Sequence, residues 1–122
     1  MVEGNGELPG NREDALRLAA SVFDVFVDVG QVTHFYAKER LTYAATGPKD
    51  YVIDATIAEL EHKLDPARFV RIHRSTLLNL SYTDEVNAWF AGGMVVQLKD
   101  GKRTELQVAR DRVRELKARL DF

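Results

Sequence analysis

Catalytic chemistry needs titratable groups that converge, and this chain of 122 residues supplies few: three histidines (His34, His62 and His73), no cysteine, and no zinc-ligand or phosphate-loop spacing. Asp84 and Glu85 stand side by side, but neighbouring strand residues point to opposite faces, so a solvated turn accounts for them better than a shared acid–base site. Trp89 and Phe90 could stack on a planar ligand, yet aromatics within an apolar strand more often pack a core. The chain is expected not to be an enzyme and to need neither metal nor cofactor.

The chemistry it does offer is cationic. The net charge of −2 hides an uneven distribution: residues 1–30 carry −4, whereas residues 99–120 carry +4. A second basic cluster is Arg68, Arg71 and Arg74. A locally basic stripe on a near-neutral domain can serve as a phosphate footprint, although a solvated surface shows the same asymmetry. The run from Phe69 to Asn79 (FVRIHRSTLLN) is the most distinctive. Alternation puts Val70 and Ile72 opposite Phe69, Arg71 and His73, and Ser75 or Asn79 can hydrogen-bond local backbone where the strand turns. His73 reads as a satisfied structural histidine. Arg74, beside the turn, is placed to leave the sheet. Its planar fork can hold a phosphate or contact guanine O6 and N7 together, though a surface ion pair would explain it as well.

Those groups need a scaffold. The length fits one domain with a real core, the composition (45% hydrophobic, 30% charged) is globular, and no apolar run approaches a membrane span. With no secretory signature at the start and no cysteine, a cytoplasmic location is expected. Residues 1–21 read as a tail or linker with a short helix over residues 12–20, and 22–122 as the folded domain.

Within it, short strands are expected over 22–29, 32–37, 41–46 and 51–54, punctuated at Gly30 and at Gly47-Pro48. Thr56 opens a helix with Ile57, Leu60 and Leu64 on one face and Glu59 at capping-box spacing, and Asp65-Pro66 ends it. Further strands are expected over 69–72, 85–90, 94–99 and 103–108. In the last hairpin, a three-residue loop of Lys99, Asp100 and Gly101, with Gly101 left-handed, aligns the face of Met94, Val96 and Leu98 with that of Thr104, Leu106 and Val108. It leaves Arg103 facing outward at a tip that could approach a polyanion. Ala109, Val113, Leu116 and Leu120 space an amphipathic helix over 109–120 whose other face is basic. The fold expected is mainly β, with antiparallel sheets, one short internal helix and a C-terminal helix.

Glu59-Leu60 to Leu64, the Phe69 to Asn79 run with Leu77-Leu78, Asp100-Gly101, and Val108-Ala109-Arg110 together resemble the LytTR family, the DNA-binding output domain of many bacterial response regulators. Order and spacing agree over roughly residues 22–120. The resemblance implies a cytoplasmic transcription regulator of two-component type that binds double-stranded DNA at promoter repeats. Loops rather than a recognition helix would enter the grooves. By motif, the base readers would be Arg74, Arg110 and, in the early loop, Arg40, while Lys38, Lys102 and Arg103 would hold phosphates. It also implies two copies on repeated half-sites and a receiver or sensor partner. Ala109 departs from the family's serine and removes an N-cap hydroxyl. Two other classes compete: a β-rich interaction or sensory module whose basic face meets an acidic protein, and a small-molecule-binding β domain.

Overall fold

The structure, a computed structural model, describes residues 17–19, 26–88 and 92–121. Its strands are β1 (Arg17–Ala19), β2 (Phe26–Asp28), β3 (His34–Lys38), β4 (Leu41–Ala45), β5 (Asp50–Ile53), β6 (Phe69–His73), β7 (Thr76–Asn79), β8 (Thr83–Ala88), β9 (Met94–Leu98) and β10 (Glu105–Val108). Helix α1 is Ile57–Lys63 and α2 is Val113–Arg119. All strand pairs are antiparallel: a five-stranded sheet in the order β5-β4-β3-β7-β6, a three-stranded sheet β10-β9-β8, and the pair β1-β2. This is the mainly β architecture the sequence indicates.

Side-chain alternation explains how β6 and β7 of the five-stranded sheet are buried on both faces. Phe35, Ala44, Phe69 and Leu77 pack on one side with Ile57, Leu60 and Leu64 of the α1 layer. Val70, Ile72 and Leu78 point the other way, into Met94, Val96 and Leu98 of β9, Val108 of β10 and Leu116 of α2. Neighbouring residues of β6 and β7 thus enter different cores. Strand β7 was not expected from the sequence: Thr76-Leu77-Leu78-Asn79 carries two adjacent leucines, each with a core to fill, so it lacks the alternation that marks a half-exposed strand.

Local chemistry sets the boundaries. The Thr56 hydroxyl accepts from the Glu59 N–H (3.0 Å) and the Glu59 carboxylate accepts from the Thr56 N–H (2.8 Å), completing the expected capping box of α1. The β9–β10 pairing keeps the expected residues on one face, but with Met94 opposite Val108 and Val96 opposite Leu106 it lies two residues away from the register that a three-residue loop gives. The loop is longer than expected: Leu98 N–H bonds the Thr104 carbonyl, so Lys99 through Arg103 all lie outside the ladder, and Arg103 joins Gly101 at positive φ. The final helix begins late, because Ala109 offers no capping side chain and residues Arg110–Arg112 form a 3-10 turn first. A helix over residues 12–20 is corrected where it can be seen: Arg17–Ala19 is a strand paired with β2, cross-strand bonding overriding a weak propensity. Residues 1–16, 20–25 and Trp89 with Phe90 lie outside the described residues.

Asn79 joins these pieces. At 1% exposed, it donates from Nδ2 to the Val32 carbonyl (2.9 Å) and accepts at Oδ1 from the Ser81 N–H (3.0 Å). Asn79→Ala strands both partners and is expected to cost about 1–3 kcal/mol. Urea unfolding monitored by far-UV circular dichroism measures that loss, and a midpoint equal to wild type contradicts the role.

Candidate nucleic-acid interface

Two hairpin turns leave the same end of the five-stranded sheet. Lys38 pairs with Leu41, so Glu39 and Arg40 form a two-residue turn, and both have positive φ (53° and 70°), the backbone hand of a type I′ turn. Neither is the Asn or Gly that tolerates this region cheaply, so the turn stores strain. In the next hairpin His73 pairs with Thr76, leaving Arg74 and Ser75 as the turn. Here His73 Nδ1 accepts from the Ser75 N–H (3.3 Å) and lies 3.0 Å from its hydroxyl, the structural part expected of it. Because β3 and β7 are neighbours, Tyr36 sits opposite Thr76 and the Ala37 N–H donates to the Ser75 carbonyl (2.9 Å). Arg40 and Arg74 are therefore carried by adjacent turns.

The third arginine is brought to that end by a β-bulge. Between Arg71 opposite Leu77 and His73 opposite Thr76, Ile72 is the extra residue of β6, and its carbonyl accepts the Ala109 N–H (2.8 Å). Arg110, the next residue, thus begins its 3-10 turn beside the end of β6 from which Arg74 departs, its stem close to Gly92, where an added Cβ would meet Arg110 Cδ at 4.0 Å.

Lys38 and Lys102 line one cleft of about 450 Å³, together with Ser75 and Thr76. Asp100 shapes the Lys102 loop: its carboxylate accepts the N–H groups of Lys102 (3.1 Å) and Thr104 (3.2 Å) and the Thr104 hydroxyl. Burial alone would raise the Asp100 pKa; these hydrogen bonds outweigh it and hold the carboxyl below its usual value. Arg103 is exposed beside Lys102, but both stand at the opposite end of β10 from Arg110. Arg40, Arg74 and Arg110 thus gather at one sheet end, Lys38 lies both beside the Arg40 turn and on the cleft that Lys102 lines, and Arg103 follows Lys102 in the same loop.

All six are exposed, and none of their side chains makes an ion pair or hydrogen bond with another described residue. Arg71 differs, since its guanidinium is committed to Glu61 (3.0 Å) and to the Arg74 carbonyl. The Arg68, Arg71 and Arg74 cluster of the sequence is thus no uniform patch.

The cleft floor was not singled out in the sequence. His34 stacks on Tyr36 (5.5 Å between centroids) and Tyr36 on Tyr43 (4.9 Å), while the Tyr36 hydroxyl donates to Asp50. Burial and the Asp50 carboxylate push the Tyr36 hydroxyl pKa far up. The Thr33 hydroxyl donates to the Ala45 carbonyl (3.2 Å) and lies 2.9 Å from His34 Nδ1, within hydrogen-bond distance. Burial lowers the His34 pKa, against the pull of Asp50 and Asp100. His34, Tyr36 and Tyr43 do fall on one face by alternation, but they lie on two strands whose pairing had to be known first.

The β scaffold presents on its loops arginines and lysines that are unpaired among the described residues, an arrangement suited to a polyanion. The sequence matches the LytTr DNA-binding domain family over residues 24–121, and the chain belongs to that family. It is 30% identical over 104 residues to the transcriptional regulatory protein YpdB of Escherichia coli K12, covering 85% of this chain and 42% of that protein. To the sensory transduction protein LytT of Bacillus subtilis it is 29% identical over 108 residues, covering 88% and 43%. The chain thus spans less than half the length of these relatives. A solved LytTr DNA-binding domain from Bacillus cereus superposes with a TM-score of 0.78 at 18% identity, covering 88% of this chain and 96% of that one, and shares the fold.

The turn and the buried histidine each set an expectation. Replacing Glu39-Arg40 by Asn-Gly relieves the positive-φ strain and is expected to stabilise the domain by about 1–2 kcal/mol in urea unfolding; an unchanged or lower midpoint argues against stored strain. For His34, the folded pKa lies below the ordinary 6.5, so the unfolded chain takes up its proton first as pH falls. Its contribution is complete above pH 6.5 and declines below it, levelling off beneath the lowered folded value. Melting temperature should fall more between pH 7.5 and 5.5 for wild type than for His34→Gln, and parallel curves would contradict this assignment.

Proposed function

We propose that this domain is the sequence-reading part of a bacterial transcription regulator, with Arg40, Arg74 and Arg110 contacting base edges in duplex grooves and Lys38, Lys102 and Arg103 holding phosphates. The observation that carries the reading is that three guanidiniums, unpaired among the described residues and carried by three separate connections, gather at one end of the five-stranded sheet. Arginine's fork reads guanine, whereas lysine serves as a point charge on phosphate. The relatives named as transcriptional regulatory and sensory transduction proteins support a signal-dependent role of response-regulator type, with a receiver or sensor segment as the protein partner. Two copies on repeated promoter half-sites, a cytoplasmic setting and the absence of catalysis belong to the same reading. Among the described residues no helix is long and apolar enough to cross a membrane.

Selection from a random duplex pool supplies the cognate site, and fluorescence anisotropy then compares it with scrambled DNA across a salt series. Arg74→Ala and Arg110→Ala are each expected to lose about 1–3 kcal/mol of discrimination. Lys102→Ala should weaken both duplexes alike and lower the salt slope by about 1. Equal losses on cognate and scrambled DNA for both arginine variants would remove the base-reading assignment. An acidic protein partner would instead be indicated by no preference for any duplex.

A further inference from the structure

The guanidinium of Arg71 lies at the junction of two elements. Nη1 donates to Glu61 on α1 at 3.0 Å, while Nη2 donates to the backbone carbonyl of Arg74, the turn residue between β6 and β7. The bulge at Ile72 has already taken this end of the hairpin out of regular pairing. The Arg74 carbonyl faces a fixed cation, and the cation is fixed in turn by a helix across the sheet face. We infer that Arg71 is a positioning residue, which orients Arg74 by clamping its turn to α1 through Glu61 and does not itself touch DNA; this rests on the base-reading role proposed for Arg74.

Three features separate this from a phosphate contact. Arg71 is the more buried member of its pair, its side chain 20% exposed against 43% for Glu61, and its Nε is buried without a partner, so the group faces inward. The Glu61 carboxylate beside it would repel a phosphate. By contrast, Arg74 is exposed and its side chain makes no ion pair with a described residue. The clamp also neutralises Arg71, so the neighbouring Arg74 is less opposed by like charge. Arg71 serves the two acceptors from two nitrogens held at a fixed separation, a span that the single nitrogen of a shorter lysine does not reproduce. A turn held in place before binding has less freedom to lose on the duplex, and ordering one residue is a fivefold to tenfold effect on affinity.

The decisive variant is Arg71→Lys, which keeps the charge and loses the span. With melting temperature followed as a folding check, its ratio of cognate to scrambled affinity is expected to fall fivefold to tenfold, with the salt slope unchanged. In an Arg74→Ala background the same change should produce no further loss, because the clamp then holds nothing that reads DNA. Full additivity of the two changes, an unchanged ratio, or a salt slope reduced by about 1 in Arg71→Ala would overturn the inference, the last by showing a direct phosphate contact. If Arg74→Ala leaves discrimination intact, the base-reading proposal fails on its own account. Hydrogen exchange in the free protein then still decides the clamp: the amides of Ser75 and Ala37, bonded to or across the turn, should exchange several-fold faster in Arg71→Lys, and wild-type protection would refute it.

Discussion

The β6–β7 hairpin is buried on both faces, and the arrangement of the cationic connections follows from that constraint. Phe69 and Leu77 belong to the core beneath α1, and Val70, Ile72 and Leu78 to the core shared with β9, β10 and α2. A slip of one residue would send every one of these side chains into the wrong core, so the register is specified by the fit of each side chain to its own core. Once the register is set, the position of the Arg74 turn is set, and the bulged Ile72 carbonyl is directed to Ala109. One hairpin thus places two of the three arginines, and its bonding partner β3 places the third.

Charge is used in two ways on this frame. Arginines that hold structure are paired: Arg71 with Glu61, and Arg119 with Glu115 and the Pro66 carbonyl. The arginines proposed to read DNA stay solvated and unpaired among the described residues, at little cost to a fold whose cores are elsewhere. The non-glycine turn at Glu39 and Arg40 is a local expense of the same kind, a backbone conformation disfavoured by sterics and tolerated because β3 and β4 pair along their whole length. Net charge is a poor guide to such a surface, since a near-neutral total coexists with a concentrated cationic face.

Much of the scaffold could be read from local pattern. The Thr56 capping box and the end of α1 each depend on residues close in the chain, and each is present as expected. Signals failed where burial or pairing was non-local. Strand β7 was hidden by two leucines serving different cores. Arg17 to Ala19 looked helical because a partner strand cannot be seen in composition. The five-residue loop from Lys99 to Arg103 was read too short, because Asp100 can hold Lys102 and Thr104 in a wider turn without a ladder bond.

From the chain alone came the family and the expectation that Arg40, Arg74 and Arg110 read bases, since residue types and their spacing are properties of covalent order. The sequence could not say that the guanidinium of Arg71 is bonded to Glu61 while that of Arg74 pairs with no described residue, nor that Lys38 and Lys102 border a common cleft. Nor could it show that an Ile72 carbonyl would bring Arg110 beside the Arg74 hairpin. Those distinctions depend on distances between residues far apart in the chain. Only the packing of one sheet between two cores decides them.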